Sequence, residues 1–349
     1  MVTRPVIQFD RVISKPLERA LSVGGAFRTP LDYALSEGSG LDPQLRSSSD
    51  GASTLTLYAG LTKVLDLRER NGGFVLDVHP SHATAAGFDP TWRTSRDADG
   101  LAAVVPDVMA YLERVTASGV VDVRFSSREG RVQTLIGTAR GQHFAAFQRE
   151  AVPSFVSQPV KDALRAPFME RMIEALRLAP EREAWWPGVR DRGADPSLGP
   201  ELDATALDSS GRLLTIEIKP ADAVKGIAWA PGQARCYAEL FALWLEVDPN
   251  ARESIVRMSV QRRRLGLAAP PSEWDVPVQS EIRVVPVVAI GAGKLSSEAL
   301  PRLSKVHQAL QKWPSLSARL DPLEVWWVPD DGDSPVVWRP DIEVPPKWS

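Results

Sequence analysis

Three side chains able to do chemistry together stand close in the middle of the chain: Asp203, Glu217 and Lys219. Two apolar runs, Leu202 to Leu207 and Leu213 to Ile218, flank Asp208-Ser209-Ser210-Gly211, a glycine-containing link of the kind that closes a β-hairpin. Side chains alternate along a strand, so Glu217 and Lys219 share one face while Ile216 and Ile218 turn to the other. Direct pairing of the two runs brings Asp203, at the open end of the first strand, close to Glu217. Two carboxylates, with the backbone carbonyl of Ile218 between them, are hard oxygen donors suited to Mg²⁺ or Mn²⁺. Lys219 beside them can orient or help deprotonate a water and neutralise an anionic oxygen. Such a set suits phosphodiester hydrolysis, which needs an activated water and a stabilised anionic transition state. The competing reading is a hairpin with an exposed Asp203 and a surface Glu217–Lys219 ion pair worth at most about 1 kcal/mol.

Further groups must be positioned around this hairpin. Pro231 to Glu246 reads as the next helix, and Gln233 and Tyr237, four apart, fall on one face of it beside the strand of Lys219. Val160 to Leu178 has helical apolar spacing and carries Glu170 and Glu174 one turn apart; either can point at the acidic end of the sheet or into solvent. Arg252 to Leu265 carries Arg257 and Arg262-Arg263-Arg264, either a solvated surface or a contact for phosphate oxygens. Glu281 to Ile290 is a near-continuous apolar run, expected of a strand buried on both faces. Gly291-Ala292-Gly293-Lys294 after it lacks the upstream glycine and following Ser/Thr of a phosphate loop, which leaves a strand-to-helix turn. Trp185-Trp186-Pro187 reads as a first strand, Ser297 to Trp313 as a helix, and Leu323 to Val328 and Val336 to Trp338 as short strands.

The first half offers no chemical constellation. Weak helical periodicity covers Arg11 to Val23, and Leu31 to Arg46 is mixed. Thr54 to Tyr58, Lys63 to Glu69 and Phe74 to His79 read as strands, the last two joined by Asn71-Gly72, a strong hairpin signal. Leu101 to Ala117 reads as a helix with Pro106 in its first turns, and Val120 to Phe125 with Arg131 to Thr138 as a hairpin across Arg128-Glu129-Gly130. His79 and His82 flank Pro80-Ser81 without carboxylate or cysteine companions and read as unrelated; His143 and His307 read as structural. The expectation is an α+β protein of two domains, 1–155 for partner or substrate recognition and 156–349 for the chemistry, with the boundary at Pro153 to Pro159.

Composition sets outer limits. A chain of 349 residues, 44% hydrophobic and 24% charged, can bury two cores. No apolar run approaches the roughly 20 residues a membrane helix needs, and Met1 to Asp10 has no signal-peptide core, so the expected location is cytoplasmic, without a membrane. A lone cysteine and four scattered histidines offer no zinc spacing, so any metal would be held by oxygen. The net charge of −3 gives no global field for collecting nucleic acid, and a phosphate-binding surface would have to be local.

The order helix, strand, hairpin carrying Asp203 and then Glu217-Ile218-Lys219, helix, strand, helix, strand resembles the PD-(D/E)XK nuclease superfamily over residues 161–328. Gln233-Ala234-Arg235-Cys236-Tyr237 is similar to the Gln-x-x-x-Tyr helix motif of its RecB-like branch. Leu202 stands where the family name has proline, and residues 1–155 show no such likeness. The resemblance implies a restriction-endonuclease-like αβββαβ core with a mixed sheet flanked by helices, joined to an N-terminal α+β domain of antiparallel hairpins. It implies Asp203 and Glu217 as metal ligands, Lys219 as the catalytic lysine, Gln233 and Tyr237 as phosphate-positioning or buttressing groups, and Glu170 or Glu174 as the first-helix acid. The implied activity is Mg²⁺- or Mn²⁺-dependent cleavage of DNA, with RNA as another substrate, leaving 5′-phosphate and 3′-hydroxyl ends in defence, repair or mobile-element biology. Cutting both strands would take a homodimer or a partner subunit. The alternative is a catalytically idle nuclease-like module for nucleic-acid binding or assembly.

Overall fold

In a computed structural model of the protein, the described residues are 6–48, 51–78, 88–117, 128–138, 144–178, 201–267, 281–291, 293–330 and 335–343. They form a mixed α+β structure with eight α-helices and three sheets.

The first sheet is antiparallel, in the order β2 (Asp42–Ser47), β3 (Ser53–Ala59), β4 (Thr62–Arg70), β5 (Gly73–Asp77). Asn71 and Gly72 both have positive φ, 54° and 82°, as the expected tight turn between β4 and β5 requires. Its apolar face, with Leu55, Leu57, Leu65 and Leu67, packs on α1 (Lys15–Leu21), α2 (Arg28–Leu35) and α3 (Ala98–Ala117). Helix α1 begins where Ser14 caps it, the hydroxyl accepting from Leu17 N, with Pro16 in the first turn where no donor is lost. The mixed segment 31–46 thus resolves into the end of α2 and strand β2.

Residues 128–138 form a helix, α4 (Arg128–Thr138), where the sequence pattern suggested a strand from Arg131. The correction has a physical reason: Val132, Leu135 and Ile136 fall on one helical face and pack together against the large sheet. The proposed partner strand at 120–125 lies outside the described residues, as do His79, His82, His143 and the segment 185–187. His307 is buried and bonds to Asp341 (Nε2 to Oδ1, 2.5 Å), in keeping with a structural role.

The large sheet has six strands in the order β12-β11-β10-β9-β8-β6, where β6 is Phe144–Ala151, β8 Leu202–Asp208, β9 Leu213–Pro220, β10 Val284–Gly291, β11 Glu324–Val328 and β12 Val336–Trp338. Strands β6, β8 and β9 are antiparallel, β9, β10 and β11 parallel, and β12 returns antiparallel. The parallel steps need long crossovers. Helices α6 (Val224–Val247) and α7 (Ala251–Leu265) make the first, α8 (Ala299–Gln311) the second. Every residue of β10 is buried, as its unbroken apolar run demands. Between β6 and β8 runs α5 (Gln158–Leu178), packed on α6 and α8. A two-stranded ribbon pairs β1 (Ile7–Gln8) with β7 (Ser154–Phe155).

Helix α4 and strand β6 precede residue 155, so the large sheet draws its edge strand from the chain before the expected boundary. No helix among the described residues is long and apolar enough to cross a membrane.

Candidate active site

The hairpin β8–β9 closes at 208–211 because Asp208 caps its own turn, accepting from Ser210 N and Arg212 N, while Gly211 takes a φ of 79°. Register then follows: Leu207 faces Leu213 and Ala204 faces Ile216, which leaves Asp203 and Glu217 at the next step, where the strands open. Ile216 and Ile218 lie in the apolar layer under α4. Thr215 points the other way and reaches Ala234 O of α6 at 3.5 Å. Lys219 follows the same alternation, its stem lying against α6 at Gly226, where an added Cβ would be 3.2 Å from Lys219 Cδ.

Asp203 Oδ2 accepts from Ile218 N at 2.7 Å; Lys219 Nζ donates to Glu217 Oε1 at 2.6 Å and stands 3.9 Å from Asp203 Oδ2. Glu217 is only 3% exposed, yet its buried Oε2 has no hydrogen-bond partner among the described residues. Such an atom is costly unless something else satisfies it. Burial, then the charge of Asp203, pushes the Glu217 carboxyl up to about 8, against the pull of Lys219. Burial also raises Asp203 to about 6, offset by Lys219 and the Ile218 N–H. Burial works against the Lys219 ammonium, but Glu217 and Asp203 hold it above its ordinary value. The site is a pair of carboxyls whose protons burial favours, beside one cation and with spare oxygen lone pairs, an arrangement that a divalent cation would complete.

The third acid comes from α4. Glu129, in its first turn, raises the carboxyls of both Asp203 and Glu217 and supports the charge of Lys219. The sequence pattern hid it, because residues 128–130 read as a hairpin turn. The available signal was the apolar stripe Val132, Leu135 and Ile136 one turn beyond it. Glu170 is exposed on α5 and Glu174 half-buried, and neither is among the groups acting most strongly on Asp203, Glu217 or Lys219. Glu129 is the acid outside the hairpin whose charge acts on all three of its groups.

Gln233 is half-buried on α6, and its side chain makes no hydrogen bond among the described residues. Tyr237, one turn on, is buried within the core beneath the sheet; burial raises its hydroxyl, and the charges of Glu217 and Asp203 act in the same direction. Of the basic cluster of α7, Arg257 pairs with Asp10 at 2.7 Å and Arg264 with Glu18 at 3.8 Å, both exposed, Arg263 is exposed, and Arg262 is buried.

Asp203 has a second support that sequence reading missed. Gln133 of α4 donates to Asp203 Oδ1 at 3.3 Å and accepts from Arg149 Nη2 through its own Oε1. Arg149 of β6, 1% exposed, pairs with Asp42 of β2 at 3.0 Å, donates to Gly60 O at 2.8 Å and lies over the ring of Tyr58. A buried polar chain therefore runs from the four-stranded sheet to Asp203. Comparisons of the chain with protein-family models, with curated proteins and with solved structures found no match.

Proposed function

We propose that this protein is a metal-dependent nuclease that hydrolyses DNA phosphodiester bonds at Asp203, Glu217 and Lys219. The observation that carries the reading is the unpartnered, buried Oε2 of Glu217 next to Asp203, with Lys219 2.6 Å from the other oxygen. A hairpin with an ordinary surface ion pair would have no reason to bury an acceptor and leave it empty. The succession α4, β6, β8, β9, α6, β10, a helix, three antiparallel strands, a helix and a parallel strand, supports a restriction-endonuclease-like core. In that reading the first core helix is α4, with α5 an insertion between the first and second core strands.

Asp203, Glu217 and the Ile218 carbonyl would hold Mg²⁺ or Mn²⁺, with Glu129 placed to contribute. No three His, Cys, Asp or Glu side chains form a ready cage among the described residues, and Mg²⁺ commonly takes only one or two carboxylates, keeping waters and substrate phosphate for the rest. When bound, the ion supplies positive charge at the attacked phosphate and lowers the pKa of water. The chain's own part is to fix both carboxyls in place, and the cation's charge would draw off the protons that burial favours. The Ile218 N–H and Gln133 orient Asp203. Lys219, held at Glu217 now, is placed to orient the attacking water and to neutralise charge on the scissile phosphate.

The test is cleavage of linear duplex, circular duplex and single-stranded DNA with Mg²⁺ or Mn²⁺, with EDTA and the Lys219→Ala protein as controls. Cleavage lost in both controls is the expected result, and the circular substrate separates endonuclease from exonuclease. Absence of metal-dependent cleavage of every substrate by the folded protein would overturn the reading.

A further inference from the structure

A polar cleft of about 520 Å³ opens on the face of the four-stranded sheet away from its core, between β2, β3 and β4 and residue Glu150 of β6. Its position matters. Arg149 faces Ala204 and Ala151 faces Leu202, so Glu150 and Asp203 lie between the same two paired positions on neighbouring strands. Glu150 also has a φ of 50°, rare for a residue with a side chain, and that turn from strand geometry accompanies its contact with the cleft's Arg46 and Tyr58.

The cleft's hydrogen-bonding capacity is lopsided. Its two acids are satisfied from within: Asp66 accepts from Thr56 at 2.7 Å and Lys63 at 2.6 Å, and Glu150 accepts from Arg46 and from Tyr58 at 3.1 Å. Its cations are not all matched. Among the described residues, Arg68, which is exposed, has no ion pair, and Arg46 Nε, which is buried, has no hydrogen-bond partner. The hydroxyls of Thr54 and Thr62, also on the wall, add donors. What remains to be satisfied is cationic and donating, which suits anionic oxygens. The one aromatic wall, Tyr58, already carries the guanidiniums of Arg149 and Arg46, 4.6 and 5.7 Å from its ring centre, so a base has no free platform there.

We infer that this cleft seats the phosphodiester backbone of a nucleic-acid strand beside the cleavage site, without reading its sequence. The inference rests on the nuclease reading for the identity of its ligand. Phosphate contacts position a strand and bases specify it; this cleft offers the first and not the second. The four-stranded sheet then serves as the substrate-holding part of the protein.

The test uses the full chain with Arg68→Ala and Arg68→Glu, changes at an exposed, unpaired side chain that leave folding intact, as checked by circular dichroism. Binding of a fluorescent 20-nucleotide single strand and of a duplex is followed by anisotropy in EDTA across a salt series. Hydrolysis of bis(p-nitrophenyl) phosphate with Mn²⁺, too small a diester to span the cleft, is followed in parallel. We expect Arg68→Ala to weaken binding by about threefold to tenfold for every sequence and to lower the salt slope by about 1, Arg68→Glu to weaken it more, and small-ester hydrolysis to stay unchanged. Wild-type-like binding by Arg68→Glu, an equal loss of small-ester hydrolysis, or competition by a free mononucleotide as effective as by the strand would overturn the inference. A wild-type protein that hydrolyses nothing while Arg68→Glu still loses strand binding would sink the nuclease reading and leave the cleft standing. Metal-dependent cleavage with binding untouched by Arg68→Glu would do the reverse.

Discussion

Glu217→Gln should abolish cleavage and, in the absence of metal, make the protein more stable. The folded Glu217 carboxyl titrates at about 8 against an ordinary value of 4.5. At pH 7 it is protonated in the folded chain and ionised in the unfolded one. That uptake of a proton across roughly 2.5 pH units, at about 1.4 kcal/mol per unit, costs about 3 kcal/mol. Glutamine copies the protonated form without the cost and still offers an oxygen to Lys219, whose attraction is already contained in the net shift. Below about 4.5 both states of the wild type are protonated and the variant has no advantage. The wild type loses ground as pH rises through that value, and the difference levels off above about 8, where the folded carboxyl has ionised. Urea melts in EDTA at pH 4, 7 and 9 measure this. A variant no more stable than the wild type at pH 7, or an advantage that does not grow between pH 4 and 7, would refute the argument that Glu217 is buried at a cost for a cation to repay.

Four further outcomes follow from the same geometry. Mg²⁺ should raise the melting temperature of the wild type more at pH 8 than at pH 5.5, because both raised carboxyls must shed protons to bind it, and should not raise that of Glu217→Gln. Glu129→Gln should lower cleavage about tenfold or more while leaving the urea midpoint within about 0.5 kcal/mol, and Glu170→Gln, at an exposed site, should change neither. Arg149→Ala leaves Asp42 as an unpaired charge at 0% exposure and should cost about 3 to 5 kcal/mol in a urea melt. Gly137→Ala would place a Cβ 2.4 Å from Asp42 Oδ2, forcing α4 away from β2, and should destabilise by about 1 to 3 kcal/mol with a loss of cleavage.

What could be read from the sequence was local. Asn71-Gly72 and Asp208 to Gly211 state their turns within four residues, and alternation carries Glu217 and Lys219 to one face from there. Strand β10 was legible because burial on both faces leaves an unbroken apolar run. The failures were long-range. Val132, Leu135 and Ile136 are too few to declare their period, and only packing against Ile216 and Ile218 fixes α4 as a helix. With α4 read as a turn and strand, Glu129 disappeared into the turn, and Glu170 or Glu174, on the last helix before the hairpin, took its place. Nothing local reveals that β6 pairs with β8 across the whole of α5, or that Asp42, from the first sheet, meets Arg149.

That meeting ties the stability of one sheet to the chemistry of the other. A carboxylate pair kept partly desolvated and short of partners is unstable by design, and its geometry must be imposed from outside. Asp203 receives two such constraints: the Ile218 N–H from its own hairpin, and Gln133, itself held by Arg149. Arg149 in turn is fixed by Asp42 and Gly60 of the four-stranded sheet, with Gln44 donating to Asp42 at 2.6 Å. Of the three principal acids, then, Glu217 is fixed by its strand and its lysine, and Glu129 by the first turn of α4. Asp203 depends on a hydrogen-bonded chain reaching into the first sheet, and α4, which carries Glu129, packs on that sheet at Gly137 and Asp42. Damage to that sheet should therefore appear first as loss of Asp203 placement, so that variants at Asp42 or Gly137 lose Mg²⁺ binding at temperatures where the hairpin β8–β9 is still folded.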